Sequence, residues 1–394
     1  MASRPFMAQA LGRGTQSPLG RWWWTIDKPL LLITFALIAV GIIAVAAASP
    51  AAARRLSGTN FRLDDFFFFR RQLLWVALGL PVLIGASLVE VKWIKRVAVV
   101  GTVLSLIVLA LVPFIGGDDS NGAHRWIQLP GFQLQPSEFF KPFFIITTAL
   151  LLSLRFDDES MPVLQISFLM VALVAGLLLL QPDLGQTVLI GAVWLAQAML
   201  AGMSLNILWV MLGAGAIGIT GAYFTFDHVA LRIDKFLFGG GDTYQIDRAL
   251  DCFRSGGLLG TGPGDGTRKF RLPEAQTDYI FSVIGEEFGM IACLLVAGLF
   301  IALVARAVII ALDEDDPFIM LATSGLATQF GLQASINMMV NLKLLPSKGM
   351  TLPFISHGGS SFLACALGMG LLLALTRRNP FEKASPYLER WRSR

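Results

Sequence analysis

The chain has 394 residues, of which 55% are hydrophobic and only 15% are charged, and its net charge is +4. This composition is too apolar for a soluble enzyme, and the chain is too long for a single membrane hairpin. The small, dispersed positive charge suits orientation in a membrane, so we expect no nucleic acid partner. The three cysteines are odd in number and indicate neither a disulfide framework nor a metal site.

Apolar windows of about 20 residues, the length that a helix needs to cross a bilayer, recur along the chain. A backbone in lipid must satisfy its own hydrogen bonds, and no alternating pattern typical of barrel strands is present. The sequence therefore predicts an all-α integral membrane protein with ten transmembrane helices. They are expected at about 29–49, 72–88, 94–114, 138–154, 162–181, 184–202, 205–226, 279–312, 317–342 and 352–376.

This count divides the chain into a cytoplasmic N-terminal tail (1–28), a membrane domain (29–376) and a cytoplasmic C-terminal tail (377–394). An even number of spans puts both termini on one side of the membrane. The distribution of Lys and Arg favours the cytoplasm for that side, although the basic loop 54–71 argues against it.

With the termini inside, the connections that carry the polar motifs fall outside. The largest is a Gly-rich loop at 227–278, between helices 7 and 8. Its glycines match no nucleotide-binding pattern, and its composition indicates a mobile lid or a docking surface. The other external connections are 115–137, 182–183 and 343–351.

The start of the fourth span carries an unusual pair of charges. Ser137 and Glu138 are explained by helix capping and by the helix dipole. Lys141, one turn later on the same face, is not, so we predict an ion pair with Glu138 that lines a cavity; the alternative is a lysine that snorkels to the interface. Arg125 in the preceding loop is a second cation, and such cations are expected where a pyrophosphate is held.

Four acidic positions lie at or near the ends of other spans. Asp183 suits a tight turn and a helix cap, and a further role for its carboxylate stays open. At Asp278 the residues alone leave capping and catalysis equally open. Glu286 and Glu287 lie two or more turns deeper, where a carboxylate needs a polar cavity or a partner cation.

The last span begins with a polar, Gly-rich stretch that includes His357, Ser360 and Ser361. Small residues of this kind also allow close helix packing, which is the simpler explanation.

Five motifs occur in a fixed order along the chain: QPSEFFK, QPDLGQT, GGLLGTGPG, LPEAQTDYIFSVIGEEFG and LPSKGMTLPFISHGGSS. Together they resemble the SEDS family (shape, elongation, division and sporulation) over about 29–380. The LPEA and NLKLLPSKGMTLPF segments and the polar N-terminal tail are more similar to the division branch than to the elongation branch. Gln276 and His357 depart from the family pattern, where His and Tyr are common.

The resemblance implies a peptidoglycan glycosyltransferase that polymerises lipid II on the outer face of the cytoplasmic membrane. The essential aspartate of the family corresponds to Asp278, which we expect to be the general base. We expect the other site residues to contact the substrate and its pyrophosphate (Arg125, Glu138, Lys141, Lys348, Ser360, Ser361) or to support the site (Asp183, Glu274, Glu286, Glu287). A divalent cation, Mg²⁺ or Mn²⁺, is a further expectation, without an organic cofactor.

The resemblance also implies partners and a location. We expect a class B penicillin-binding protein, an FtsI-like transpeptidase, together with other division proteins, in the bacterial inner membrane at the division septum. Two alternatives remain: a lipid II flippase, suggested by charges within the bundle, and a non-catalytic scaffold whose loops recruit division proteins.

Overall fold

The computed structural model describes residues 18–58, 62–115, 125–129, 132–225, 230, 234, 244–346 and 349–377. Its helices are α1 (Pro18–Thr25), α2 (Lys28–Leu56), α3 (Phe67–Ser87), α4 (Val91–Ile115), α5 (Pro136–Ser153), α6 (Val163–Leu180), α7 (Leu184–Leu200), α8 (Leu205–Thr225), α9 (Tyr244–Gly256), α10 (Ile280–Leu312), α11 (Pro317–Asn341) and α12 (Gly359–Leu375). Strands β1 (Ile127–Leu129) and β2 (Phe132–Leu134) precede α5, and 3₁₀ turns cover Leu154–Phe156 and Arg268–Arg271.

Each predicted span overlaps one helix of the described chain, although the last helix begins at Gly359 and not near 352. By length and composition, seven of these helices could cross a membrane: α2, α3, α4, α5, α6, α8 and α10. Helices α7 and α12 are apolar but have 17 residues each, and α11 has 25 residues with amide side chains along one face. The fold is therefore that of a multi-pass helical membrane protein.

Two features outside the spans differ from the sequence predictions. The chain is not entirely helical, because β1 and β2 form an antiparallel hairpin with Gln128 opposite Gln133. The N-terminal tail contains α1, whose Trp22 indole donates to Ser87 Oγ at 2.8 Å. Residues 1–17 and 378–394 of the predicted tails lie outside the described residues.

The loop predicted to be a mobile lid or a docking surface contains a helix where the structure describes it. Within 244–278, α9 buries Ile246, Ala249 and Cys252 and packs on α10. An amphipathic helix of this kind buries one face and leaves its charged face in water. The described part of the loop therefore packs against the bundle.

Two apolar cores hold the helices together. The larger joins α2, α3, α10, α11 and α12, and the smaller joins α4 to α7 around Phe140, Phe144 and Trp194. Close approach of α12 to α3 depends on glycine, because a Cβ on Gly359 would come within 2.3 Å of the Trp75 ring and one on Gly79 within 2.5 Å of Phe362. The packing interpretation of the small residues near Ser360 is thus correct for Gly359.

Candidate active site

A polar cavity of about 700 Å³ lies where four helices begin. Its walls include Arg71 near the start of α3, Glu138 in the first turn of α5, Ser360 at the start of α12, and Asp278 two residues before α10. The β-hairpin contributes Gln128 and Gln133 to the rim. Because helix N-termini carry partial positive charge, this arrangement suits an anionic ligand.

Asp278 lies on the cavity wall in the turn before α10. The helix starts after Tyr279 and has no side-chain cap hydrogen bond, so the capping explanation of Asp278 is wrong. A Cβ added to Gly349 would come within 3.3 Å of Asp278 Oδ2, which places the carboxylate against that backbone. Burial, and then the charge of Glu274, raise the pKa of Asp278 to about 7.

The backbone of Asp278 is fixed by two amides of α11 that the sequence analysis missed. Asn337 Nδ2 and Asn341 Nδ2 donate to the Asp278 carbonyl at 2.9 and 3.0 Å. Asn341 Oδ1 also accepts from the backbone N–H and the hydroxyl of Ser282, at 3.1 and 2.7 Å. The signal was present in the sequence, because amides recur every four residues on one face of α11, at Gln329, Gln333, Asn337 and Asn341.

Lys141 forms the predicted ion pair with Glu138, at 2.8 Å, with side-chain exposures of 1% and 4%. Its ammonium also donates to Gln333 Oε1 at 2.9 Å, while Gln186 Nε2 donates to Glu138 Oε1 at 2.7 Å. Glu138 reaches the cavity wall, whereas Lys141 lies behind it. The helix also begins earlier than predicted, with Gln135 rather than Ser137 at the N-cap and Pro136 in the first position.

Two arginines line the cavity. Arg125 donates from Nε to the Gln181 carbonyl at 2.9 Å and from its other end to the Pro182 carbonyl, which ties the hairpin to the turn between α6 and α7. In that turn Asp183 caps α7 by accepting from Gln186 N at 3.3 Å, as predicted. Burial raises the pKa of Asp183, and the charge of Arg125 opposes the shift.

Arg71 is the second arginine on the wall, and the sequence analysis did not select it. It is the last residue of the basic stretch 54–71, which argued against the predicted orientation, and the structure places it in α3. A cation placed against the positive-inside rule is explained if it serves a ligand site instead of orienting the chain.

The segment before α12 completes the wall. Ser360 Oγ accepts from Gln135 N at 3.0 Å, and Ser361 Oγ lies 2.6 Å from Thr351 Oγ1. His357 Nδ1 lies 3.1 Å from Gln72 Oε1. These contacts hold α12, the hairpin and α3 around the cavity. Lys348 lies outside the described residues.

Glu274 is exposed at the cavity rim, where its carboxylate accepts from Thr277 Oγ1 at 2.8 Å. The described residues contain no group of three or more His, Cys, Asp or Glu that could hold a metal ion. Glu286 and Glu287 do not line the cavity; both are buried and bind the segment that follows α9.

The fold and the cavity define a multi-pass helical membrane protein with a polar cavity at one end of its bundle. A family model described as a cell cycle protein, FtsW/RodA/SpoVE, matches residues 28–380. The chain belongs to this family, and the resemblance inferred from the five motifs is confirmed.

Individual relatives agree. A probable peptidoglycan glycosyltransferase FtsW of Caulobacter vibrioides is 42% identical over 94% of this chain and 94% of its own length. A chain from a solved peptidoglycan synthase complex has a TM-score of 0.74 and 28% identity, over 90% of this chain and 98% of that chain. Thermus thermophilus RodA, a rod shape determining protein, has a TM-score of 0.66 and 27% identity, over 90% and 97%.

Proposed function

We propose that this chain is a peptidoglycan glycosyltransferase that polymerises lipid II, with Asp278 as the general base. The observation that carries the proposal is the place of Asp278: its carboxylate has no capping role, has a pKa raised to about 7, and shares a cavity with Arg71 and Arg125. A base with a pKa near the working pH is the most effective proton acceptor. The family and the names of its relatives support the same activity.

The reaction joins the 4-hydroxyl of one sugar to the anomeric carbon of another, with inversion, while a lipid pyrophosphate leaves. Asp278 takes the proton of the attacking hydroxyl as the new bond forms. The departing pyrophosphate gains negative charge, which Arg71, Arg125 and the positive helix ends stabilise. Ser360 and Ser361 lie on the same wall. In this proposal they help to orient the phosphates and sugars.

Lys141 acts indirectly in this scheme. Since its ammonium is buried against Glu138 and Gln333, it fixes the position of Glu138 on the wall instead of contacting the pyrophosphate. Lys348, in the same loop as Gly349, remains a candidate phosphate ligand on sequence grounds.

A divalent cation, Mg²⁺ or Mn²⁺, fits the rim of this cavity. Mg²⁺ is commonly held by one or two carboxylates together with substrate phosphates, and Glu274 supplies an exposed carboxylate in the same cavity as the two arginines. The cation would neutralise charge on the pyrophosphate, while the arginines of this chain hold its oxygens.

The topology that suits this function has ten spans and cytoplasmic termini. The predicted second, fourth, eighth and tenth spans, α3, α5, α10 and α12, all begin at the cavity, which agrees with an even count. The cavity and the 227–278 loop then face the outer side of the inner membrane. We place the protein at the division septum because its relatives include FtsW proteins.

A class B penicillin-binding protein is the partner we propose, with other division proteins in the same assembly. The support is that a structural relative comes from a synthase complex that couples polymerization and crosslinking. The FtsI-like transpeptidase would receive the glycan strands that this chain makes.

The test uses the purified chain with its transpeptidase partner and lipid II, in a gel assay for glycan strands. We expect strands from the wild-type complex and none from Asp278→Asn. The flippase alternative is tested on the same two proteins by measuring the transport of labelled lipid II into proteoliposomes. Transport that survives Asp278→Asn, without polymerisation by the wild type, would replace the proposal by that alternative.

A further inference from the structure

Helix α10 consists of two pieces separated by Gly289, whose φ of 79° and ψ of 179° are not helical. The outer piece, residues 280–288, begins two residues after Asp278. The break leaves backbone groups that helix hydrogen bonds do not satisfy, and the segment 257–262 pairs with them. The bonds run from Met290 N to Gly257 O (2.9 Å), from Thr261 N to Glu286 O (2.9 Å) and from Gly262 N to Glu287 O (3.1 Å).

Glycines allow this close approach. Gly260 has a φ of 85°, and a Cβ there would come within 2.2 Å of the Glu287 carbonyl oxygen. A Cβ on Gly256 would come within 2.0 Å of the Gly285 carbonyl oxygen. The backbone of the GGLLGTGPG motif therefore packs directly against the break in α10.

The two acids at the inner end of the outer piece bind the next part of the same segment. Glu286 accepts from the backbone N–H groups of Arg268 and Lys269 at 2.6 and 2.8 Å. Glu287 accepts from Gly264 N at 2.6 Å and forms an ion pair with the Lys269 ammonium. This explains the depth of the two acids, which the sequence analysis left open.

Lys269 links a third element to this cluster. Its ammonium donates to the Ala47 carbonyl of α2 at 2.9 Å, and its side chain is 1% exposed. A buried ammonium is stable only where a negative charge lies close to it and its N–H groups have acceptors. We call Lys269, Glu286 and Glu287 the clamp, because together they join α2, the segment after α9 and the outer piece of α10.

We propose that the clamp is a positioning device: Lys269 acts through Glu287 to set the orientation of the outer piece of α10 and hence the place of Asp278. The outer piece is a short rod of roughly 13 Å, at 1.5 Å per residue. Asn337 and Asn341 hold its outer end through the Asp278 carbonyl, and the clamp holds its inner end. Gly289 is the hinge next to the clamp, so without the clamp the rod rotates about Gly289 and Asp278 moves with it. The inference rests on Asp278 being the base.

The test measures kcat and KM for lipid II in the complex with the transpeptidase, for Lys269→Met and Glu287→Gln. We expect kcat to fall by about tenfold to 10²-fold, because small misplacements of a reacting group have effects of that order, while KM changes by less than about twofold. Lys343→Met is the matched control, since the Lys343–Asp247 pair also ties the loop to the bundle at 3.0 Å but is 43% and 51% exposed. Its kcat should equal that of the wild type.

A lone buried charge can unfold a protein, so a double variant, Lys269→Met with Glu287→Met, removes both charges together. We expect it to fold, with a thermal midpoint above those of the single variants, and still to show the lower kcat. If it does not fold, Glu286→Gln, which keeps its size and one acceptor, serves the same test. Wild-type kcat in a folded clamp variant, or an equal loss in Lys343→Met, would overturn the inference.

Asp278→Asn is measured in parallel to separate the two claims. Activity in Asp278→Asn would contradict both the general base and the positioning role that rests on it. An inactive Asp278→Asn beside fully active clamp variants removes the clamp inference alone.

Discussion

Asn341 joins the turn that carries Asp278 to the first turn of α10. Its Nδ2 donates to the Asp278 carbonyl at 3.0 Å, and its Oδ1 accepts from the Ser282 N–H at 3.1 Å. A single buried amide thus ties the carbonyl of the residue that we propose as the base to the first turn of the helix that follows it. This contact defines the position of the Asp278 backbone without touching its carboxylate.

Replacing this amide should lower both stability and rate. Asn341→Leu has a similar size but leaves buried partners without hydrogen bonds, which costs about 1–3 kcal/mol each. We expect a lower thermal midpoint and a kcat reduced by about tenfold. Asn337→Leu should leave the hydrogen bonds of Ser282 in place, because Asn337 contacts the Asp278 and Met350 carbonyls instead. Equal stability of Asn341→Leu and the wild type would contradict the role assigned to this amide.

The pH dependence of the rate should report Asp278. The carboxylate must be ionised to accept a proton, and its pKa is raised to about 7, so the rate should rise from pH 6 to pH 8. Glu274→Gln removes the neighbouring negative charge that contributes to the shift and should move this rise to lower pH. A rate that is flat from pH 6 to pH 8 would contradict the assignment.

Stability should change with pH in the opposite direction. The pKa of Asp278 is raised in the folded chain, so the folded state binds this proton more tightly than the unfolded state does. Asp278 therefore favours folding most at low pH, and this contribution is lost as pH rises from about 4 to about 7. We expect Asp278→Asn, which cannot ionise, to melt at a higher temperature than the wild type at pH 8. The difference should shrink towards pH 5.

Arg71 should act on substrate binding and on the transition state. Hydrogen bonds to charged groups contribute about 1.5–3 kcal/mol, so Arg71→Gln should lower kcat/KM by at least tenfold. Arg70→Gln is the control, because Arg70 forms an exposed pair with Asp64 at 2.7 Å and does not line the cavity. The two variants are compared in the lipid II assay, and equal effects would argue against a site role for Arg71.

The buried Glu138–Lys141 pair should show strong coupling. Lys141→Met leaves Glu138 as an uncompensated buried charge, which costs about 3–5 kcal/mol, and Glu138→Gln together with it should recover much of that loss. The exposed Glu90–Lys92 pair, at 3.0 Å, is the control and should show almost no coupling. A double-mutant cycle on thermal unfolding measures both pairs.

Periodicity and composition were sufficient to locate the helices of the bundle, because span length follows from membrane thickness. The same pattern could not reveal the β-hairpin, since it lies in a polar loop where apolar spacing carries little signal. Helix α9 did have a signal that the prediction left unused, because Ile246, Ala249 and Phe253 follow the spacing of one helix face. Asn341 was missed for another reason: its hydrogen-bond partner, Asp278, lies far away in the chain. Arg71 was missed because the cavity that it lines is formed by segments far apart in the chain. The depth of Glu286 and Glu287 was noticed, but their partner, Lys269, could be identified only once the loop was seen to fold back.

The central claim is that Asp278 is the general base, and the most direct measurement is the rate of glycan formation by Asp278→Asn at saturating lipid II in the partner complex. A general base contributes about 10² to 10⁴ in rate, so a loss of that size is expected. Asp315→Asn, an exposed acid in the connection between α10 and α11, should retain the wild-type rate. A rate for Asp278→Asn within a few-fold of the wild type would contradict the claim.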